Sequence, residues 1–461
     1  MAYADDIAFV FSECTRMASL SRDEISKLPT ADLFSSLPHP SGNGNMMCGA
    51  EANRRLLDIA NLALSRSVYA GRIASGAVVK NLKEGIVQRF FRERRRLDQK
   101  QAERVVSSAV RSAAKNIEDL THFMPCHLGY AESPNYFSIG PVQFKRKELA
   151  FEVIEPALTA LLEEASEGAS ESSKNLDSRA ISLAKKYYAS FGWISEVKIQ
   201  GCDATTSQNR AERMVQSALN CLHVLLGATH SKHMRVGGPP FGLDRRGGIR
   251  IAGDGRAQIS NSVDWQAHGL DEGWWDHVNA DGGDEFVRLM GIAVEIGHDL
   301  PKPTPLAQRF LDGATWFGEA VRDLSDASRL IKYVTAMERI LITRNDDNLS
   351  EIFSERGAAI LLRMDWDRPQ ALKRRLKVIY DLRSRLVHGD RSPLEPGLAA
   401  DAYEAEQLAQ SILLSILLFY REEGLRFKSY SQKNMDISFD RQIGWATEWI
   451  KRMTDTGAPD T

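Results

Sequence analysis

Four residues separate an arginine from a histidine near the end of a basic segment, and glycine directly follows the histidine. They are Arg383 and His388, within the stretch Tyr-Asp-Leu-Arg-Ser-Arg-Leu-Val-His-Gly-Asp. An imidazole moves protons near neutral pH, and a guanidinium is a fixed cation whose shape suits phosphate. Together they are the minimum set for cleaving RNA without a metal ion, so the functional interpretation starts from this pair.

The same segment is the most basic part of the chain. Residues 371–391 contain seven lysines and arginines, against only Asp381 and Asp390. Attraction to phosphate is the simplest use of such a run, although a solvated helix face has the same composition. The residues predicted to contact RNA are Lys373, Arg374, Lys377, Arg385 and Arg391.

Apolar periodicity predicts one helix over residues 370–388, with Gly389 as its C-terminal cap. If Leu372 is placed at zero on a wheel of about 100° per residue, Arg383 lies at about 20°, inside the apolar stripe. His388 lies at about 160°, on another face. A single copy therefore does not surround one phosphate, whereas two copies related by a two-fold axis can do so.

Neighbouring side chains are expected to support the pair. Ser384 lies about 40° from His388 and one turn earlier, where its hydroxyl can donate a hydrogen bond. Arg383 needs a partner, because an isolated buried charge is costly. Glu338 on a preceding helix is the predicted partner, and Asp381 is the local alternative. The partial negative charge at the helix end favours the imidazolium form of His388.

The composition is that of a folded globular protein. The chain has 461 residues, 43% of them hydrophobic and 26% charged, and a formal net charge of -2, so any surface for nucleic acid must be a local patch. Five scattered cysteines without a C-x-x-C pair favour a reducing compartment. The first residues lack a basic leader, and no apolar run approaches 18 residues. These features predict a cytoplasmic protein without a membrane segment.

The pattern of elements predicts a mainly α fold with small β-hairpin elements. We expect an N-terminal helical domain over residues 1–148, a middle α+β domain with a sensory or regulatory role over 149–300, and an antiparallel helical bundle over 301–461. Prolines within 301–305 mark the last boundary. Strands or hairpins are predicted within residues 121–144, 193–200 and 237–255, and a linker is predicted at 165–174.

The bundle is the clearest structural prediction. Thr304 and Pro305 are typical of a helix start, and Asn348 with Glu351 is typical of a capping box for a later helix. Two helices carry apolar residues at three- and four-residue spacing, which predicts their buried faces. These residues are Leu306, Phe310, Phe317, Val321, Leu330, Val334, Met337 and Leu341.

The C-terminal third resembles the HEPN superfamily, in particular the Apea-like HEPN domains of bacterial anti-phage defence proteins. An isolated R-x4-H motif is a weak signal, but its place at this helix end, before glycine and after an Ala-x-Glu one helix upstream, is more specific. Segments upstream of the bundle also resemble those that precede such domains. The matching residues are Ala336-Met337-Glu338-Arg339, Arg356-Gly357-Ala358, and 379–389, with 121–127 and 139–144 upstream.

The resemblance implies a metal-independent endoribonuclease that uses no cofactor. His388 would activate the 2′-hydroxyl or protonate the leaving 5′-oxygen, and Arg383 would stabilise the crowded phosphate. The products would be a 2′,3′-cyclic phosphate and a 5′-hydroxyl. Some family members have asparagine where this chain has Ser384, which keeps the polar role with a shorter reach. Asp390 stands where an antitoxin-paired class has tyrosine, which argues against that class.

The resemblance also implies partners: RNA as substrate, a second copy of the chain joined through the bundle, and a phage-derived trigger. Two other functions remain open from the residues alone. In one, the basic helix grips RNA or an acidic protein without catalysis, as a sensor module. In the other, the bundle only dimerises, as a scaffold.

Three further clusters have a structural and a functional interpretation. His122, Cys126 and His127 offer soft metal ligands, but their spacing is awkward for zinc and favours ordinary hairpin residues. The Trp274-Trp275 pair can stack on a base, although filling a core is the more common use. The arginines of residues 89–96, with two phenylalanines between them, form either a second RNA contact or a solvated helix face.

Overall fold

The described part of the chain is mainly helical and contains three small sheets. The coarse prediction of a mainly α fold with small β elements is therefore confirmed. None of the described helices combines the length and apolar character that crossing a membrane requires. The computed structural model describes residues 3–129, 133–166, 171–239, 243–265, 269–300, 302–343, 348–364 and 369–455.

Two compact units make up the fold. One consists of Met1–Thr121 with Lys198–Ala211, and the other of His122–Val197 with Glu212–Thr461. The functional division into residues 1–148, 149–300 and 301–461 stays a prediction.

The first unit is a helical assembly with a small two-stranded sheet. Apolar residues on four of its helices share one core, in which Leu56, Val78 and Leu82 are fully buried. Burying each such side chain contributes roughly 1.5–3 kcal/mol. Its elements within the first 121 residues are α1 (Tyr3–Ala18), α2 (Arg22–Ile25), α3 (Thr30–Leu33), β1 (Ser36–Pro38), β2 (Asn45–Met47), α4 (Gly49–Ser65), α5 (Ser75–Ile86), a π-helical turn (Val87–Arg92) and α6 (Gln99–Ala114).

The central part of the chain alternates strands and helices. Five strands form one sheet in the order β4-β5-β6-β3-β7, and two strands of nine residues each form a separate hairpin, β8-β9. The elements are β3 (Glu118–His127), β4 (Tyr136–Ile139), β5 (Val142–Arg146), α7 (Lys147–Ser166), α8 (Glu171–Ala189), β6 (Trp193–Cys202), α9 (Ala204–Ser231), β7 (Arg235–Val236), β8 (Leu243–Ile251), β9 (Ala257–Trp265), α10 (Trp274–Asn279) and α11 (Gly283–Gly297).

All the regular elements among the described residues of the C-terminal part are helices. The helix α16 packs on α11, α12, α13 and α14, and α15 packs mainly on α14. All eight residues of the predicted apolar stripes are buried, among them Phe310 and Met337. The elements are α12 (Pro305–Val321), α13 (Asp326–Leu341), α14 (Leu349–Leu361), a 3-10 turn (Leu362–Met364), α15 (Pro369–His388), α16 (Leu398–Arg426) and α17 (Gln432–Asp455).

Two local predictions were wrong. Asn348 is the N-cap residue of α14, but its side chain makes no capping hydrogen bond. Glu351 instead binds Lys373 and Lys377 of α15, because ion pairs across the helix interface compete for its carboxylate. The predicted linker at 165–174 is largely helical, since α7 reaches Ser166 and α8 begins at Glu171; the residues between them lie outside the described part.

Two glycines let the β4-β5 turn touch α11. Gly140, at φ +57°, occupies the turn, and its backbone lies directly against Gly291. A Cβ at Gly291 would lie 2.7 Å from the Gly140 nitrogen and 2.9 Å from its Cα. Neither atom belongs to a flexible side chain, so the backbone itself would have to move.

We therefore expect Gly291→Ala to lower the free energy of unfolding by roughly 1–3 kcal/mol, as overpacking does. Urea denaturation followed by circular dichroism measures it. The matched control is Gly444→Ala in α17, where an added Cβ meets no atom within 4 Å. That change should stabilise by about 0.5–1 kcal/mol through helix propensity. Equal effects of the two substitutions would contradict the close approach.

Candidate functional site at the end of α15

The helix α15 is held against the bundle by its first half. Leu372, Leu376 and Ile379 are its buried residues, and they face α14 and α13. Gly357 allows the close approach of α14, since a Cβ there would lie 2.8 Å from Cδ1 of Leu376. The helix ends at His388, and Gly389 follows at φ +84°. The predicted helix and its glycine cap are both present.

Arg383 lies in a half-buried position with its expected partner. Its Nη2 donates to Oε2 of Glu338 on α13 at 3.2 Å, and the two side chains are 25% and 19% exposed. Asp381, the local alternative, instead accepts from Ser350 at 3.3 Å. The Nε of Arg383 is buried and has no hydrogen-bond acceptor among the described residues. The guanidinium is thus held through Nη2, and its Nε–H group is not used by any described residue.

Tyr380 completes a small polar group around this pair. Burial raises the pKa of Glu338, and the opposing effects of Arg383 and a hydrogen bond from Tyr380 are smaller. Burial also raises the pKa of Tyr380, and the nearby Glu338 carboxylate raises it further. The carboxylate therefore carries a desolvation cost that the arginine only partly offsets. Tyr380 was not assigned a role from the sequence, although it stands one turn before Arg383.

His388 is exposed in the last turn of α15 and forms no side-chain hydrogen bond or ion pair with the described residues. It is separated from Arg383 by about 140° around the helix and about 7.5 Å along it. Ser384 is half-buried between them and likewise has no hydrogen-bond partner in the described chain. The motif residues therefore lie on one helix end, but their functional groups do not converge within one protomer.

Much of the basic run is already neutralised. Lys373 contacts Glu351 at 2.7 Å and Glu355 at 3.4 Å, and Lys377 contacts Glu351 at 3.2 Å. These two lysines hold α15 to α14. Lysines in such pairs would have to exchange a carboxylate for a phosphate in order to bind RNA, which reduces their contribution.

The other three residues predicted to contact RNA differ in whether they form ion pairs. Arg391 is 13% exposed and contacts Glu395 at 3.0 Å and Asp401 at 3.4 Å. By contrast, Arg374 and Arg385 are exposed and make no ion pair with any described residue. The sequence could not separate these groups, because the acidic partners lie on other segments.

The other clusters have structural contacts. Trp274 is 5% exposed, and its ring meets Phe137 edge to face at 5.3 Å, while Trp275 lies 4.4 Å from the same ring. In the first unit, Phe90 and Phe91 pack against Phe11, at 5.8 and 5.0 Å between ring centres. Packed rings are not available for base stacking, which favours the core-filling interpretation of the tryptophan pair. The second RNA contact and the solvated helix face both stay open for the arginines of residues 89–96.

The candidate zinc ligands are also engaged in packing. Cys126 is fully buried, and burial raises the pKa of its thiol to about 11, which disfavours the thiolate that a metal needs. His127 Nε2 lies 2.9 Å from the Pro239 carbonyl oxygen. Burial, with some repulsion from Arg235, lowers the pKa of His127 to about 4. No group of three or more potential ligands converges on a metal position among the described residues.

No protein-family model, curated protein or solved structure matches this chain. The likeness to HEPN domains therefore depends on the quoted motifs and on the helical context described above.

The ion pair predicts a pH-dependent effect of substitution. Arg383→Met would leave the Glu338 carboxylate half-buried without a cation, which should cost roughly 1–3 kcal/mol at pH 7 after allowance for partial exposure. The pKa of Glu338 is already raised, and the loss of Arg383 raises it further. The folded protein then takes up a proton as the pH falls, so the deficit should shrink toward pH 5.

Urea denaturation of wild type and Arg383→Met at pH 7 and pH 5 measures this. The matched variant is Arg383→Met combined with Glu338→Gln, which removes both charges and should recover most of the loss at pH 7. A deficit that stays the same at both pH values would show that the pair does not hold α15 in place.

Proposed function

We propose that this protein is a metal-independent endoribonuclease of the HEPN type that acts in the cytoplasm in anti-phage defence and responds to a phage-derived trigger. One observation carries the proposal. An exposed histidine without a structural partner ends the same basic helix in which an arginine is held half-buried by a carboxylate. Nothing in the packing of the described residues requires His388, whereas proton transfer to RNA would.

The chemistry follows from these two groups. As a base, the His388 imidazole takes the proton of the ribose 2′-hydroxyl, whose oxygen attacks the adjacent phosphorus. The bond from phosphorus to the 5′-oxygen then breaks, and that oxygen takes a proton from an imidazolium. Arg383 stabilises the negative charge on the phosphoryl oxygens as the fifth bond forms. The products are a 2′,3′-cyclic phosphate and a 5′-hydroxyl, and no metal or cofactor takes part.

Two copies are needed to bring the groups together. Along the helix axis, Arg383 and His388 lie at equal distances from the point midway between Arg385 and Leu386. Two antiparallel α15 helices that cross at this level would place His388 of one subunit level with Arg383 of the partner subunit. Each crossing then holds two arginines and two histidines around one groove. Because Arg383 and His388 point about 140° apart on one helix, each can face the groove only together with its counterpart from the partner subunit.

The face that would meet the partner lies between the two groups on the wheel. Val387 and Ser384 stand on it, at about 60° and 120° from Leu372. Val387 is 49% exposed, so its side chain is available to a partner surface. Toward the N-terminus, α14 covers the same side of the helix through Lys373 and Lys377.

The exposed arginines would bind the flanking phosphates. Arg374 and Arg385 have no ion pair among the described residues, so their charge is available to RNA without breaking an internal contact. Lys373, Lys377 and Arg391 would contribute less, because carboxylates already hold them. Binding should therefore depend on salt with a modest slope.

His388→Ala should abolish RNA cleavage in the presence of EDTA and leave the fold unchanged. Loss of a general acid or base typically costs about 10²–10⁴-fold in rate. Because His388 is exposed, the free energy of unfolding should change by less than about 0.5 kcal/mol. Cleavage of a labelled RNA, with analysis of the product ends for cyclic phosphate, measures the activity.

The matched control is His230→Ala, which removes another exposed histidine in the last turn of a helix, α9. It should keep full activity. Full activity of His388→Ala, or activity that EDTA removes from the wild type, would contradict the proposal.

Val387→Glu should convert a dimer into monomers and reduce cleavage by at least about tenfold, because a buried, unpaired carboxylate opposes association. Light scattering coupled to size-exclusion chromatography measures the mass. Val68→Glu, at a valine that is 84% exposed in the first unit, is the control and should alter neither property. An active, monomeric Val387→Glu protein would exclude the shared site.

A non-catalytic sensor module that binds RNA or protein is the second candidate. It is favoured by the pairing of Arg383 with Glu338, which is also the arrangement of a purely structural arginine. In that case His388→Ala would leave RNA affinity and cell growth unchanged, while Arg374→Ala and Arg385→Ala would each weaken affinity.

A further inference from the structure

A polar cavity of about 720 Å³ lies in the C-terminal bundle, at the C-terminal end of α16. It is bordered by α11, the 3-10 turn after α14, the end of α16, and α17. Asp401, which binds Arg391, and Arg421, which lines the cavity, are twenty residues apart on α16, or about 30 Å along a helix. The cavity is therefore separate from the end of α15.

Two arginines in this cavity lack carboxylate partners among the described residues. Arg363 donates from Nε and Nη2 to Oε1 of Gln442, at 3.2 and 2.7 Å, which is a neutral partner. Arg421 is exposed and forms no ion pair with the described chain. Burial lowers the pKa of Arg363, and repulsion from Arg421 lowers it further, so the two cations are close enough to oppose each other. An anion between them would relieve that repulsion.

Most of the carboxylates of the cavity are already used. Arg288 contacts Glu285 at 2.7 Å and Glu422 at 2.5 Å, and Glu422 also contacts Arg426 at 2.9 Å. Glu423 is the remaining acid of the lining. The cavity lining thus contains two guanidiniums without a carboxylate partner among the described residues, beside carboxylates that are mostly paired with other arginines. A compact anion can contact these two guanidiniums without displacing a paired carboxylate.

The backbone is strained where Arg421 enters the cavity. Its dihedral angles, φ +53° and ψ -179°, interrupt α16 and fall in a region that residues other than glycine rarely adopt. A glycine would satisfy this conformation without strain, yet the chain has an arginine here. Strained residues of this kind cluster at ligand sites, where the side chain has a task that offsets its backbone cost.

Aromatic surface stands beside the cations. Trp445 is 45% exposed, and Trp449 lies one turn further along α17 on the same side. The Arg363 guanidinium lies 6.0 Å from the ring centre of Trp445 and 5.2 Å from that of Phe419. The exposed indole stands next to these two neighbouring guanidiniums. It therefore offers a stacking surface for a base within reach of a phosphate site.

We propose that this cavity binds a free nucleotide, with its phosphate on Arg363 and Arg421 and its base stacked on Trp445. The volume is within the range of small-ligand sites. The site is independent of the proposed cleavage of RNA, since it shares no residue with the end of α15.

The test is isothermal titration calorimetry of the full chain with ADP and GDP, and with adenosine, pyrophosphate and a ten-nucleotide RNA as comparison probes. A nucleoside diphosphate should bind with a dissociation constant below about 1 mM, and adenosine and pyrophosphate should each bind at least about tenfold more weakly. Failure of both diphosphates to bind would overturn the proposal. Tighter binding of the RNA, lost in Arg421→Gly, would assign the cavity to nucleic acid instead.

Arg421→Gly is the decisive variant, because it removes the guanidinium and relieves the backbone at once. It should weaken nucleotide binding by at least about tenfold while the melting temperature stays the same or rises. Trp445→Leu gives a second measurement that does not depend on this backbone and should also weaken binding. The controls are Arg256→Ala and Trp316→Leu, which change an exposed arginine and a partly exposed tryptophan outside the cavity. Unchanged binding in both Arg421→Gly and Trp445→Leu would exclude this site.

Discussion

A half-buried arginine must keep a carboxylate beside it, and this constraint fixes how α15 sits in the bundle. Arg383 of α15 meets Glu338 of α13, and Tyr380 joins the same polar group. The contact sets the rotation of α15 about its axis, which in turn decides the direction of every other side chain on that helix. With Arg383 directed inward, His388 is necessarily directed outward, about 140° away. The second subunit in the proposed mechanism is required because of this rotation.

The basic residues of α15 are of two kinds: some form ion pairs with carboxylates of neighbouring helices, and others are exposed without such a pair. Lysines on the side toward α14 share Glu351 and Glu355, and Arg375 binds Glu404 of α16. These pairs join helices and are worth little as phosphate sites, because a phosphate would first have to displace a carboxylate. Exposed ion pairs add only about 0–1 kcal/mol each to stability, so their main effect here is to orient the helix.

The sequence predicts the bundle well because apolar residues at three- and four-residue spacing report directly on burial. Phe310 and Met337 are buried as expected, and Gly389 ends the helix as expected. Glu338 could be named as the partner of Arg383 from its place on the flank of a neighbouring helix. For these residues, local pattern and tertiary structure agree, as they do in most core positions.

Other features depend on contacts between distant segments, which periodicity does not encode. Glu351 was expected to cap α14 and instead binds α15, since several groups competed for one carboxylate and only the packed helices decide between them. The order of the five strands likewise depends on contacts between segments that are distant in the sequence. The cavity beside Arg421 was missed because a broken helix looks continuous in the sequence, although the spacing of Trp445 and Trp449 was a visible signal. Strain at one backbone position becomes evident only when the dihedral angles are known, and it is such positions, where a local rule is broken, that most often mark a ligand site.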